Sequence, residues 1–488
     1  MAPQDYRLDK LETLKAHNIE PYPARFSTTH TLTDAAALPD ETLGVKVAGR
    51  IVALRKMGKL TFLHLQDIHG RVQVSLKKDN LGDNYELFHK IIDIGDFLGV
   101  NGTTFTTKTG EKTVQADEFV FLGKALREMP EKWHGLKDVE LIYRQRYLDL
   151  ISSPDSRRVF LMRSKLLREI RNFLEGRGFL EVETQILTNQ ASGALASPFV
   201  THHKALGIDV YLRIAPEMYL KRLVVGGMPH VFEVARCFRN EGISPTHLQD
   251  FTMIEGYSAY YDYKDNMKLM REMILHCITQ LFGATTVTIE EEEVDFGGEW
   301  PVTTFRELIL RDSGIDIDDY GDASSLLAAV FARGIALEHE NLKKLGKGNL
   351  VDLLYKKVSR PKLISPTFLT AHPLELSPLA RANDDNPHLS DRFQLVVNGA
   401  EIINGYSELV DPLEQRRRLE EQLKLRLQGD AEAMPMDNDY LKAMEYGMPP
   451  ISGWAWVWTD YFRSCSICQT FAMPYSSPLC APLRSSRR

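Results

Sequence analysis

From Val45 to about Leu122 the chain is written in short alternating apolar segments, VKVAGRIVAL, LTFLHLQD, GRVQVSL, DFLGVNG and TGEKTVQADEFVFL, each broken by turn residues. A period of two sends successive side chains to opposite faces, so these segments predict half-buried strands rather than helices. Five or so strands in so short a stretch fit a small Greek-key barrel over residues 45–125. Before it, residues 1–44 read as a helical extension. After it, residues 126–155, containing HGLKD and YRQRYLDL, show no clear period and read as a linker.

A second architecture begins near Asp155. Val159, Met162, Leu166, Ile170 and Phe173 recur at helical spacing behind a cap at Asp155 or Ser156, and Gly176 and Gly178 end the helix. Strand-like FLEVET, HVFEVARCFR, QDFTMIEGYSAY and FQLVVNGAEIINGYSEL follow, separated by helical or irregular text, and a further helix opens at Asp411-Pro412. Long strands interleaved with separate helices predict an α+β domain, residues 156–452, with a mainly antiparallel sheet. At 488 residues the chain needs more than one core in any case. No GxxxxGK loop and no GxGxxG after a strand supports a P-loop or Rossmann site. No apolar run approaches the roughly 18 to 20 residues that span a bilayer, and the first residues lack a signal-peptide core, so no membrane association and a cytoplasmic location are expected. Five scattered cysteines do not make a disulfide framework, and the lone Cys465/Cys468 pair lacks the partner pair a zinc site needs. The net charge of −7 leaves nucleic-acid contact to local patches. Arg50, Arg55, Lys56 and Lys59 form one in the barrel, although such a run also serves as a plain solvated face.

Chemistry concentrates around FRNEGISPTHLQDF. Arg239 and Glu241 are two apart on a strand and share a face, as do Phe251, Glu255 and Tyr257 on the next. A hairpin across Gly242 to Asp250 can therefore gather a cation, carboxylates and aromatics over one surface; an exposed charged hairpin fits the same spacing.

This segment resembles motif 2 of class II aminoacyl-tRNA synthetases. The resemblance implies that Arg239 clamps the α-phosphate and the amino-acid carboxylate, that Glu241 accepts from the adenine amino group, that His247 lies near the outer phosphates of ATP, and that Phe251 stacks on adenine. Longer strings, VAGRIVALRKMGK, HGLKDVELIYRQRYLDL, LRIAPEMYLKRLVVGG and AEIINGYSEL, resemble the lysyl-tRNA synthetase family over about Val45 to Pro450. That likeness implies an oligonucleotide-binding (OB) barrel for the anticodon, followed by a class II catalytic domain, with ATP, L-lysine and tRNA(Lys) as partners. An ε-ammonium substrate calls for carboxylates, whereas aspartate or asparagine calls for a cation or an amide. Glu255, Tyr257 and Glu408 match the family's ammonium pocket, Gly193 and Glu217 its α-amino site, and Asn404 a polar wall beside the lysine. Glu217 also reads as the exposed first turn of a helix after Pro216. An aspartyl- or asparaginyl-type enzyme shares the architecture but not these carboxylates.

By the same resemblance Glu401 matches a magnesium carboxylate, while Gln394 stands at the other metal position and brings an oxygen without charge. Strict alternation places Glu401 opposite Asn404 and Glu408, so a bulge must intervene if all three serve one site. In the barrel, Phe62 and Gln73 match positions that stack on and hydrogen-bond anticodon bases, with Arg55 and Glu118 as further candidates; Phe62 fits ordinary barrel core equally. Residues 156–184 resemble motif 1, which implies a homodimer, but Gln185 replaces its closing proline.

The tail, residues 453–488, departs from the pattern. Three of the five tryptophans and three of the five cysteines lie in it, with one acidic residue. The family carries GxGxGxDR here, whose arginine reaches ATP. Written as codons, Gly453 to Phe462 are GGN TGG GCN TGG GTN TGG ACN GAY TAY TTY; read from the third base they spell (L/M/V)-G-(L/M/V)-G-(L/M/V)-D-(R/G)-L-(L/F). The same frame across Ile467 to Pro482 permits LPDIRDAVLFPIVRP, which resembles the family's closing segment. A lost base near codon 453 accounts for both stretches. The chain as written is then expected to leave an unpaired sheet edge here and to lack the motif's arginine, which keeps a non-catalytic RNA-binding product in view.

Overall fold

The computed structural model describes residues 5–129, 138–190, 192–194, 196–242, 248–289, 291–339, 342, 345–427 and 434–457. They form two compact units that meet in sequence between Arg157 and Arg158.

In the first unit, strands β1 (Val45–Met57), β2 (Leu60–Gln66), β3 (Arg71–Lys77), β4 (Phe97–Thr106) and β5 (Lys112–Gly123) close a barrel in the order β1-β2-β3-β5-β4. The alternation that predicted them sends Val47, Leu63, Leu65, Val74, Val100 and Val114 inward, all fully buried. Helices Asp5–Ala16 and Leu32–Ala37 precede the barrel, the second closed by a reciprocal Thr31/Asp34 capping box. The stretch expected as an irregular linker is instead helical over Val139–Arg144 and Arg146–Ser152. Asp138 accepts from the backbone N–H groups of Glu140 and Leu141 and so starts a turn too short to show a period.

Helix Pro154–Glu175 begins in the last residues of the first unit and is the first element of the second. Its cap is two residues before Asp155, the earlier of the two expected positions: the Ser153 hydroxyl accepts from the Ser156 N–H, and Pro154 takes the first helical position, where a missing N–H costs nothing. Then come β6 (Leu180–Glu181), β7 (Leu187–Thr188), β8 (Val200–His203), β9 (Ile208–Leu212), β10 (His230–Phe238), β11 (Asp250–Ala259), β12 (Thr286–Ile289), β13 (Glu292–Asp295), β14 (Val302–Thr304), β15 (Thr367–Pro373), β16 (Leu389–Val397), β17 (Ala400–Ser407) and β18 (Ile451–Val457). Eight of them make the main sheet, ordered β14-β15-β16-β17-β18-β11-β10-β6 and antiparallel except at its two ends. The α+β expectation holds. The apolar text FQLVVNGAEIINGYSEL is not one strand but a hairpin, turned at Asn398 and Gly399, both at positive φ.

Helix Tyr263–Phe282 lies under one face of the sheet, where Phe232, Ile254, Phe393, Ile403, Trp454 and Trp456 join its apolar residues in the main core. The opposite face stays open for the site. Among the described residues no helix is long and apolar enough to cross a membrane.

The expectation for the tail needs correction at its start. Ile451–Val457 does not leave an edge unpaired: it is the sheet's central strand, bonded to β11 on one side and β17 on the other. The written text WAW keeps the large-small alternation that such a strand requires. Trp454 and Trp456 go to the core, while Gly453 and Ala455 face the open side. Trp454 sits in register between Gly256 and Gly405, and the absent side chain of Gly256 leaves room for its indole. The fit is imperfect, because the Trp454 ring N–H is buried without an acceptor among the described residues, a defect that costs about 1–3 kcal/mol. The remainder of the tail, including Cys465 and Cys468, lies outside the described residues.

Candidate active site

On the open face, a cavity of about 300 Å³ lies between β11, β17, β18 and helix Glu217–Val225. Its floor follows from strand register. Glu255, Ala455 and Asn404 are paired neighbours across β11, β18 and β17, and the next row on this face runs through Tyr257, Gly453 and Tyr406. Gly453 has to be small: a β-carbon there would meet the Tyr257 ring at 2.3 Å and a Glu408 oxygen at 2.6 Å.

The bulge that alternation demanded is present. Between Leu395/Ile403 and Val396/Glu401 the pairing slips by one residue on β17. The extra residue turns Glu401 to the side of Asn404, Tyr406 and Glu408, and all four line the cavity.

Of the residues singled out from sequence, Gly193, Glu217, Arg239, Glu255, Tyr257, Asn404 and Glu408 converge here. Glu217 is buried, which removes its reading as an exposed helix start. Gly193 stands against it at φ 95°, where a β-carbon would come within 3.1 Å of the Glu217 side chain. The Arg239 guanidinium lies 5.0 Å from the centre of the Phe251 ring, and its buried Nε has no partner among the described residues. Phe251 itself packs beside Ala235, Cys237 and Met253 and does not line the cavity; Glu241 is exposed at the end of the hairpin. His247 lies outside the described residues. Gln394 donates to Glu401 at 2.9 Å. That pair offers only oxygen donors, one of them charged. It fits a hard cation shared with phosphate oxygens rather than a cage built wholly of protein. Among the described residues no cluster of three or more His, Cys, Asp or Glu forms such a cage.

Three further residues escaped the sequence reading. Lys221, one helical turn after Glu217, has its ammonium fully buried between Glu217 and Glu408, 2.5 Å from the latter. The Tyr406 hydroxyl donates to Glu217 at 2.8 Å, and Arg392 donates to the Asn404 side-chain oxygen at 2.8 Å. For Lys221 the available signal was an i,i+4 Glu–Lys pair, which on a helix usually means a solvated face. Tyr406 had a plainer one, since it alternates with Asn404 and Glu408 along β17.

The electrostatics are those of a site short of positive charge. Burial, reinforced by Glu217, pushes the Glu255 carboxyl well above its usual range, and its one side-chain donor is Tyr257 at 3.2 Å. Burial also raises Glu408, to about 8, against the pull of Lys221. Burial works against the charge on Lys221, but Glu217 and Glu408 more than offset it and hold the group protonated. A cation entering this cavity gains from every one of these carboxylates.

On the barrel, Arg55, Phe62 and Gln73 come from neighbouring strands, Arg55 opposite Phe62 and Gln73 opposite His64. Phe62 is half-buried and outside the barrel core, so the core reading falls away. Gln73 donates to Glu111 and accepts from Thr113, both at 2.7 Å, and Glu111 also holds His64 at 2.7 Å. Neither Glu111 nor His64 stood out from sequence. Glu118 lies further along β5 against Asn101 and does not join this row.

Comparison with known proteins bears on both units. Residues 138–458 match the family of class II tRNA synthetases (D, K and N), and residues 45–122 match the OB-fold nucleic acid binding domain. The chain is 47% identical over 453 residues to a lysine–tRNA ligase of Pelotomaculum thermopropionicum, spanning 92% of this chain and 88% of the relative. It is 46% identical over 450 residues to one of Moorella thermoacetica, and 44% identical over 459 residues to one of Bacillus cereus. Each of these covers 92% of this chain and 91% of the relative.

Proposed function

The chain belongs to the lysine–tRNA ligase family of class II aminoacyl-tRNA synthetases, and from that premise we propose that lysine is bound and activated in the acidic cavity beside β17. Its function is that of a lysine–tRNA ligase, which activates lysine with ATP and transfers it to tRNA. The observation that carries the assignment of the cavity is the Glu408 carboxylate. It is 2% exposed, faces the cavity, and holds an oxygen that no donor among the described residues fills. A buried carboxylate in that state selects a cation, and the side-chain ammonium of lysine is the cation that fits an amino-acid enzyme.

In this reading Glu408, Glu255 and Tyr257 hold the ε-ammonium. Glu217 and the Gly193 backbone hold the α-ammonium, with Asn404 as the polar wall. Arg239, whose Nε has no partner, spans the substrate carboxylate and the α-phosphate. There it stabilises the negative charge that gathers as a carboxylate oxygen attacks phosphorus and pyrophosphate leaves. Glu241, Phe251 and His247 attend the adenine and outer phosphates. Glu401, with Gln394, would hold Mg2+, which supplies charge neutralisation on the phosphates when bound. The barrel row of Arg55, Phe62 and Gln73, with Glu118 as an outlying candidate, reads the anticodon of tRNA(Lys). A homodimer is supported by exposed apolar residues along the motif 1 region and the small sheet beyond it, among them Leu180, Leu187, Val200 and Ile208. Sedimentation at micromolar concentration should give twice the chain mass.

Lysine-dependent ATP–pyrophosphate exchange tests the assignment; aspartate activated in preference to lysine would sink it. The tail supplies a second test. As written it lacks the arginine of GxGxGxDR, and we propose that a lost base removed it. Expressed side by side, the restored frame should exceed the written chain in exchange by orders of magnitude, since one clamp on a developing charge is worth about 3–4 kcal/mol. Equal rates would make the written tail a working replacement.

A further inference from the structure

The cavity's own cation is the feature that the assignment of lysine leaves unused. Lys221 rises from the first turns of helix Glu217–Val225, and its ammonium, with no exposed surface, touches Glu217 on its own helix and Glu408 beyond the end of β17. Three phenol rings enclose it, Tyr257 at 5.8 Å and Tyr406 and Tyr440 each at 5.6 Å. A buried ion of this kind is a poor source of stability, because desolvation consumes most of what the attraction returns. What it does supply is geometry. In the proposed reading Glu217 takes the α-ammonium of the substrate and Glu408 the ε-ammonium, so Lys221 joins the two ends of the amino-acid site.

We propose that Lys221 is a positioning residue that sets the separation between the α-amino and ε-amino subsites and thereby measures the length of the substrate side chain. The inference rests on the assignment of those two subsites made above. Lys221 need not touch the substrate. It engages one Glu408 oxygen, and Glu408 still faces the cavity with acceptor capacity that no hydrogen-bond donor fills. The charge count also requires it. Burial and the nearby Glu217 charge raise both Glu255 and Glu408 even beside Lys221, and without that internal cation the two carboxyls would hold their protons to higher pH still. The charged and titratable groups facing Glu408 are Lys221 and Glu217 from the helix, Glu255 and Tyr257 from β11, Tyr406 from β17 and Tyr440 from helix Asn438–Glu445. Lys221 is the cation in that set.

The test uses direct binding, so it does not depend on the catalytic competence of the tail. Calorimetry of the full-length chain with lysine and with ornithine, one methylene shorter, is compared for the parent, Lys221→Met and Lys221→Arg across pH 6 to 9. The parent should favour lysine, and its affinity should climb as pH rises toward 8 and Glu408 ionises. In Lys221→Met the preference for lysine over ornithine should fall roughly tenfold, with weaker lysine binding. The climb with pH should move to higher values, because removing a neighbouring cation makes a carboxyl harder to ionise. Lys221→Arg retains the charge but not the reach; it should restore the pH dependence and leave the length preference impaired, and it serves as the probe if the Met variant fails to fold. A parent that binds no lysine would refute the assignment of the cavity. A parent that discriminates normally, with variants that keep both its preference and its pH profile, would overturn the role of Lys221 alone.

Discussion

Each unit buries a lysine between two carboxylates, and the two clusters are finished differently. In the barrel unit, Lys124 donates to Asp93 at 2.6 Å, Asp96 at 2.8 Å and the Ile91 carbonyl at 3.0 Å, which uses all three of its protons. Asp96 also accepts from the backbone N–H groups of Asp93 and Ala125, and Asp93 is bound by Lys10 as well. The circuit is closed. Around Lys221 the acids outnumber the internal ammonium, Glu408 keeps an acceptor without a donor, and Glu255 has one hydroxyl for company. Burial alone therefore does not mark a working site. The mark is an imbalance that something outside the chain can complete.

That contrast can be broken by substitution. The largest expected effect is on Lys124→Met, which leaves the fully buried Asp96 carboxylate without its cation and should lower stability by about 3–5 kcal/mol. Denaturant melting of the full chain reads the loss, while lysine binding below the transition should be unchanged; altered lysine affinity would mean that the barrel cluster is not purely structural. Glu408→Gln should do the reverse. Lysine affinity falls by two orders of magnitude or more, on the same scale of about 3–5 kcal/mol, whereas the melting temperature moves less than in Lys124→Met because Glu217 still pairs the buried Lys221 ammonium. Next in size is Phe62→Ala on the barrel surface. A lost base stack of roughly 1–3 kcal/mol should slow tRNA charging by one to two orders of magnitude and spare pyrophosphate exchange, and equal loss in both assays would return Phe62 to the fold. The smallest effect is expected at Glu401→Gln, where a few-fold higher magnesium concentration should be needed for half-maximal exchange, since phosphate oxygens supply most of the ligands. An unchanged magnesium requirement would remove Glu401 from the metal site.

The sequence was most legible where one local rule decides the outcome. A period of two produced the barrel, and register on β10 and β11 placed Arg239, Glu255 and Tyr257 over one surface. The parity conflict between Glu401 and Asn404 even called for the bulge that β17 contains. What escaped depends on distant packing. Lys221 beside Glu217 has the pattern of a solvent-facing pair, and only the approach of Tyr406, Glu408 and Tyr440 makes it an interior ion. Residues 138–152 carried too few turns to reveal helices, and the Asn-Gly turn that splits β16 from β17 was hidden in one apolar run. The tail misled for another reason. Gly453 to Trp456 departs from the expected motif, yet its sizes alternate as a central strand needs, and pairing on both sides does the rest.

The bulge on β17 has a consequence for how this gene can change. Downstream of it Asn404, Tyr406 and Glu408 point to the substrate; upstream, Glu401 points the same way only because one residue has been inserted between the two halves of the strand. The strand carries two phases, and the inserted residue is the junction. Individual side chains on either half can be exchanged one at a time, with local effects. Deleting the single codon for Ile402 would merge the halves into one regular strand in which Glu401 and Asn404, then two apart, still share a face. Deleting the codon for Gly405 instead would put Tyr406 and Glu408 on the face opposite Asn404 and turn them away from the ligand. Reading frame aside, β17 should therefore tolerate many substitutions, and the loss of a residue only at the bulge itself.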